Sequence, residues 1–167
     1  MNAQAGVTQP LTSHPRVEQT AEDPSEPVPA KQTRLAVLAM GTDDWATEQV
    51  ATALIRGGHD VLRCHEPGEA AFPCNALIEG RRCPLDEGFD VAITTRARSL
   101  PGPAIGEFGV VCALRQGVPL VVAGVPGVAP FQMWTSVAVE PGGDVVSACE
   151  KAYEDSQAAL VDLRETQ

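Results

Sequence analysis

Cys64, His65, Cys74 and Cys83 fall within one short, irregular stretch of chain. Thiolate and imidazole are the ligands that Zn or an iron–sulfur cluster takes, and three Cys with one His would close a tetrahedral structural site. Nine and then eight residues separate the cysteines, unlike the tight CxxC pairs of zinc knuckles. The residues therefore leave three uses open: a metal site, a redox dithiol, or thiols serving as small buried apolar groups. Arg63, Arg81 and Arg82 lie close by in sequence and would lower a thiol pKa if turned toward it. Further upstream, Gly41-Thr42-Asp43-Asp44 presents two adjacent carboxylates, suited either to a divalent cation or to capping a helix. Arg96 and Arg98 could take a phosphate or carboxylate in bidentate fashion, or answer Asp43, Asp44 or Glu107.

Positioning such groups requires regular elements, and the chain supplies them in alternation. The unbroken apolar run at residues 35–40 reads as a buried strand. Trp45, Val50, Ala53 and Leu54 then recur at helical spacing, with Asp43 or Asp44 as N-cap and Gly57-Gly58 as the stop. Residues 60–64 read as a second strand. The crossover at 65–89 is crowded with Pro and Gly and has room only for a short helix near 75–79. A third strand at 89–95 leads to a helix at 105–116, with Ile105, Phe108, Val111 and Cys112 expected on its buried face. Strands at 119–124 and 136–140 follow. A final helix at 144–164 should bury Val145, Cys149, Ala152, Tyr153, Leu160 and Leu163, with Glu150, Glu154, Asp155, Asp162 and Glu165 in water.

Strands alternating with helices imply an α/β domain: a doubly wound, five-stranded parallel sheet in the order 2-1-3-4-5. Ligands of such sheets sit outside the carboxyl ends of the strands, where the strand order reverses. That rule nominates Gly41, Thr42, Asp43 and Asp44 after strand one, Thr94, Arg96 and Arg98 after strand three, Gly124 after strand four, and the helix start that holds Gly106, Glu107 and Gly109. Domain organisation follows from composition. Residues 1–33 hold five prolines and few large apolar side chains, so they are expected to form a disordered tail, with 34–167 as one compact domain.

The run Pro103-Ala104-Ile105-Gly106-Glu107-Phe108-Gly109, the following Ala113-Leu114-Arg115-Gln116-Gly117-Val118-Pro119, and the later Met133-Trp134 resemble the nucleoside 2-deoxyribosyltransferase family over about 40 residues. The resemblance implies a flavodoxin-like fold and a carboxylate nucleophile, Glu107, directed at the anomeric carbon of a nucleoside. Such a carboxylate can form a glycosyl ester and divide one displacement into two. Gly106 and Gly109 would let the sugar or base approach the backbone. Related NAD-cleaving domains also use a Glu on such a helix, so the resemblance speaks to ligand class as well as to reaction. The residue pattern alone fits Glu107 equally as a first-turn carboxylate favoured by the helix dipole. Asp43-Asp44 also resembles the acidic pair of response-regulator receiver domains. In a receiver, however, a phosphoacceptor Asp would stand where Thr94 or Thr95 does, with Gly124 and Glu140 occupying the other two signature positions.

Twenty-two acidic against twelve basic residues give a formal charge of -10, which works against binding duplex DNA. No stretch approaches the roughly 18 apolar residues needed to span a bilayer, and the first residues lack the order of a signal peptide. A cytoplasmic protein with reduced thiols is expected, interacting with neither DNA nor membrane. A homo-oligomer is compatible with the sequence. The leading expectation is a small anionic or nucleoside-like ligand, with glycosidic cleavage at Glu107 left open. Against it stand a metal or redox sensor built on Cys64, His65, Cys74 and Cys83, and a receiver-like interaction module.

Overall fold

The computed structural model describes residues 33–69, 71, 74–78, 80, 82–125 and 131–165. The tail expected over 1–33 lies outside them, apart from Thr33. Five parallel strands form one sheet in the order β2-β1-β3-β4-β5: β1 (Ala36–Gly41), β2 (Asp60–Arg63), β3 (Val91–Arg96), β4 (Leu120–Gly124) and β5 (Thr135–Val139). This is the doubly wound, flavodoxin-like arrangement that the alternation of elements implied. Helices α1 (Asp44–Arg56), α3 (Gly109–Arg115) and α5 (Val145–Glu165) are joined by two single-turn helices, α2 (Asn75–Ile78) and α4 (Phe131–Trp134).

Every residue of β3 is buried, as expected of a central strand covered on both faces. Side chains alternate across it. Val91 and Ile93 join Val37, Ala39, Val121, Leu54 and Cys149 on the face covered by α1 and α5. Ala92 joins Leu38, Met40, Leu120 and Val122 on the other face, against Val110 and Ala113 of α3. Each fully buried Val, Leu or Ile contributes about 1.5–3 kcal/mol. Substitutions that shorten these side chains in the central strands are therefore costly.

Helix α1 starts where its sequence signals it. Asp43 has extended backbone and its Oδ1 accepts from the Ala46 amide at 2.9 Å. The expected buried faces of α3 and α5 need correction. Ile105 and Phe108 lie before the first residue of α3, in and just after a 3₁₀ turn, Ile105–Glu107, and both are exposed, as are Val111 and Cys112. The packed face is instead Gly109, Val110 and Ala113, because small residues let the helix approach the sheet closely. In α5 the buried stripe holds through Val145, Cys149 and Ala152, but Leu160 and Leu163 are exposed. Within the crossover, Pro84–Glu87 forms a 3₁₀ turn that tucks Leu85 into the second core.

Candidate functional site

Because residues alternate along β3, its carboxyl end sends neighbouring side chains to opposite faces of the sheet. Thr95 points toward α1, where its hydroxyl lies 2.7 Å from that of Thr47. Thr94 and Arg96 point toward the start of α3 and meet Glu107. Arg96 Nε is 3.0 Å from Glu107 Oε1, and both side chains are 0% exposed. The Thr94 hydroxyl donates to the same oxygen at 3.2 Å. Glu107 Oε2 accepts from the Ala104 amide at 2.9 Å, and Arg96 donates to the Gly102 carbonyl at 3.0 Å. The two charges thus pin segment 97–104 from both ends. Gly106 completes this corner: a Cβ there would collide with the Gly41 carbonyl oxygen, so β1 and the Ile105–Glu107 turn can touch only through glycine.

The acidic pair after β1 is engaged in local structure. Asp43 caps α1, and Asp44 Oδ2 accepts from the Gly68 amide at 2.9 Å, holding the start of the crossover. Thr42 donates its amide to the Thr95 carbonyl at 3.0 Å. Arg98 is exposed. His65 lies near Gly106 and lines, with Asp44 and Arg63, a cavity of only about 10 Å³.

The metal expectation is overturned. Among the described residues, which include Cys64, His65, Cys74 and Cys83, no group of three or more His, Cys, Asp or Glu side chains is disposed to hold a metal ion. Two of the thiols have a packing use. Cys64 and Cys83 pack against the apolar cluster under α3. Burial pushes the Cys64 thiol up to about 11, aided by the neighbouring Cys74, Cys83 and Cys112, and burial also raises Cys83. All five cysteines are free.

At the carboxyl edge a cleft of about 430 Å³ opens on the α1/α5 side of the sheet. Trp45, Gln49 and Val50 of α1 form one wall, and Glu140, Gly143 and Val145 form the other. Thr95, Arg96, Ala123 and Gly124 make the floor. Of the expected site residues, Arg96 and Gly124 reach this cleft; Glu107, Asp43, Asp44, Gly106 and Gly109 are not among the residues lining it. Glu107 meets Arg96 and Thr94 instead, away from the cleft. The wall after β5 was missed in the sequence, although Glu140-Pro141-Gly142-Gly143 follows a strand end and the same positional rule would have nominated it. Trp45, which marks the helical spacing of α1 together with Val50, Ala53 and Leu54, is 73% exposed at the mouth of the cleft.

Among the described residues no helix is long and apolar enough to cross a membrane. No protein-family model and no curated protein matches the sequence. Among solved structures, the Vibrio vulnificus NanR protein complexed with ManNAc-6P is similar at 12% identity and a TM-score of 0.38. The match covers 78% of this chain and 50% of that one, so the chain spans about half the length of that protein.

Proposed function

We propose that the domain binds a small nucleoside-like molecule in the cleft between α1 and α5, and that Glu107 serves it as a positioning residue. The observation that supports this is the cleft itself. It lies at the carboxyl ends of β3 and β4 and has the size of small-molecule sites, which run from about 300 to 1,000 Å³. Its walls are mostly apolar, with Gln49, Thr95 and Glu140 able to fix the orientation of a polar ligand.

The glycosidic reading makes a harder demand. Glu107 would have to leave Arg96, Thr94 and the Ala104 amide before its carboxylate could attack anything, and burial leaves no path for substrate along the present geometry. Binding without cleavage is the reading favoured by that arrangement. The test is a screen of the full chain against nucleosides, nucleotides, NAD and sugar phosphates by thermal shift, with base release followed by chromatography. The expected result is a shift with a nucleoside-type ligand and no base release by either the wild type or Glu107→Gln. Base release by the wild type alone would restore a catalytic carboxylate, and no shift with any compound would remove the cleft as a ligand site.

A further inference from the structure

Two charged residues are among those lining the cleft, Arg96 and Glu140. They are not equivalent. Arg96 is fully buried, with its guanidinium turned to Glu107 and to the Gly102 carbonyl. Glu140 is exposed and has no ion-pair partner among the described residues. A ligand entering the cleft therefore meets a carboxylate and, among the described lining residues, no cation that is not already engaged. Its other prominent neighbour is Trp45, a large apolar surface left in solvent, on which a flat ring can stack.

We infer that the cleft selects an unphosphorylated, amine-bearing heteroaromatic ring, such as the base of adenosine or cytidine, and discriminates against the corresponding phosphate monoesters. The ring covers Trp45, and the exocyclic amine donates to Glu140, an acceptor-only group when ionised. A phosphate dianion brought near the same carboxylate is repelled, and among the described lining residues the one Lys or Arg is Arg96, already held by Glu107 and the Gly102 carbonyl, so the loss of the phosphate's hydration is not offset. The inference rests on the cleft being the ligand site and adds the sign of the charge that it accepts.

The experiment is calorimetric titration of the full chain with adenosine, cytidine and their 5′-monophosphates, at low and at 0.5 M salt, repeated with Glu140→Gln. At least one nucleoside should bind about sixfold more tightly than its monophosphate at low salt, the factor expected for a dianion roughly 8 Å from a carboxylate in solvent-like dielectric. The gap should narrow at high salt and in the Glu140→Gln chain, because screening or removing the carboxylate removes the repulsion. A monophosphate that binds as tightly as its nucleoside, or a gap that Glu140→Gln leaves unchanged, overturns the charge selection while the cleft stands as a binding site. Absence of binding by all four compounds overturns the inference, and absence of a thermal shift across the wider screen overturns the cleft reading with it.

Discussion

Arg96 Nε and Glu107 Oε1 lie 3.0 Å apart with neither side chain exposed to solvent. One comes from the last residue of β3 and the other from the turn that leads into α3, so the pair ties the carboxyl edge of the sheet to the segment between them. Removing two charges from water is costly, and hydrogen bonds from Thr94 and Ala104 to Glu107, and one from Arg96 to Gly102, offset part of that cost. Breaking one partner strands the other. Glu107→Gln and Arg96→Met should each cost about 3–5 kcal/mol in urea denaturation. The double variant Arg96→Met/Glu107→Leu should recover much of that loss, since apolar replacement of a buried pair is often neutral. A single-variant loss under about 1 kcal/mol would mean that water reaches the pair.

Gly109 opens α3 directly against Cys64. A Cβ at this position would stand 2.6 Å from Cys64 Sγ and 3.0 Å from Met40 Sδ, too close without displacement of both. Gly109→Ala should therefore destabilise by about 1–3 kcal/mol, as overpacking of a core does. In a Cys64→Ala background the same substitution should cost clearly less, because the first obstacle is gone. Equal costs in the two backgrounds, measured as a double-mutant cycle, would place the strain elsewhere.

These two corners show what was legible in the chain. The apolar runs of β1, β3 and β4 could be read because central strands buried on both faces admit only apolar or paired residues, and the strand order then followed from right-handed crossovers. The pairing of Arg96 with Glu107 was among the alternatives, since both fall at one sheet edge. What could not be read was which side of α3 faces inward. Ile105, Phe108 and Val111 are the larger apolar residues, yet the backbone enters through a 3₁₀ turn and packs through Gly109 and Ala113. Periodicity does not register a close approach that depends on the absence of side-chain volume. The cleft was half legible: Gly124 lies at a strand end, while helical spacing alone says nothing of Trp45 standing at its mouth.

Thiol chemistry should follow burial. Cys112 is exposed, whereas burial pushes Cys64 up to about 11 and Cys149 up to about 12. A short iodoacetamide pulse at pH 8, followed by peptide mass spectrometry, should label Cys112 first and leave Cys64 and Cys149 largely unmodified. One equivalent of Zn should leave the melting midpoint unmoved, because no suitable ligand group is assembled among the described residues. Fast labelling of Cys64 would show that the crossover opens readily.

Helix α5 supplies a pH test with a definite sign. Asp144 precedes its first turn, accepts from the Val146 and Ser147 amides at 3.0 and 3.2 Å, and receives the Ser147 hydroxyl at 2.6 Å. These hydrogen bonds favour the charged carboxylate, the Ser147 hydroxyl most of all, and hold its pKa below the ordinary value despite a small opposing desolvation. A folded pKa below the unfolded one means a contribution fully present above the unfolded carboxylate value, near about 4, and lost as pH falls through the folded value. Asp144→Ala should therefore lower the denaturation midpoint at pH 7 by an amount that stays constant down to about pH 5 and then shrinks with further acidification. A difference between wild type and variant that persists unchanged at pH 2.5 would show that the neutral acid caps α5 as well as the carboxylate does, and that the hydrogen bonds of the hydroxyl and amides are indifferent to its charge.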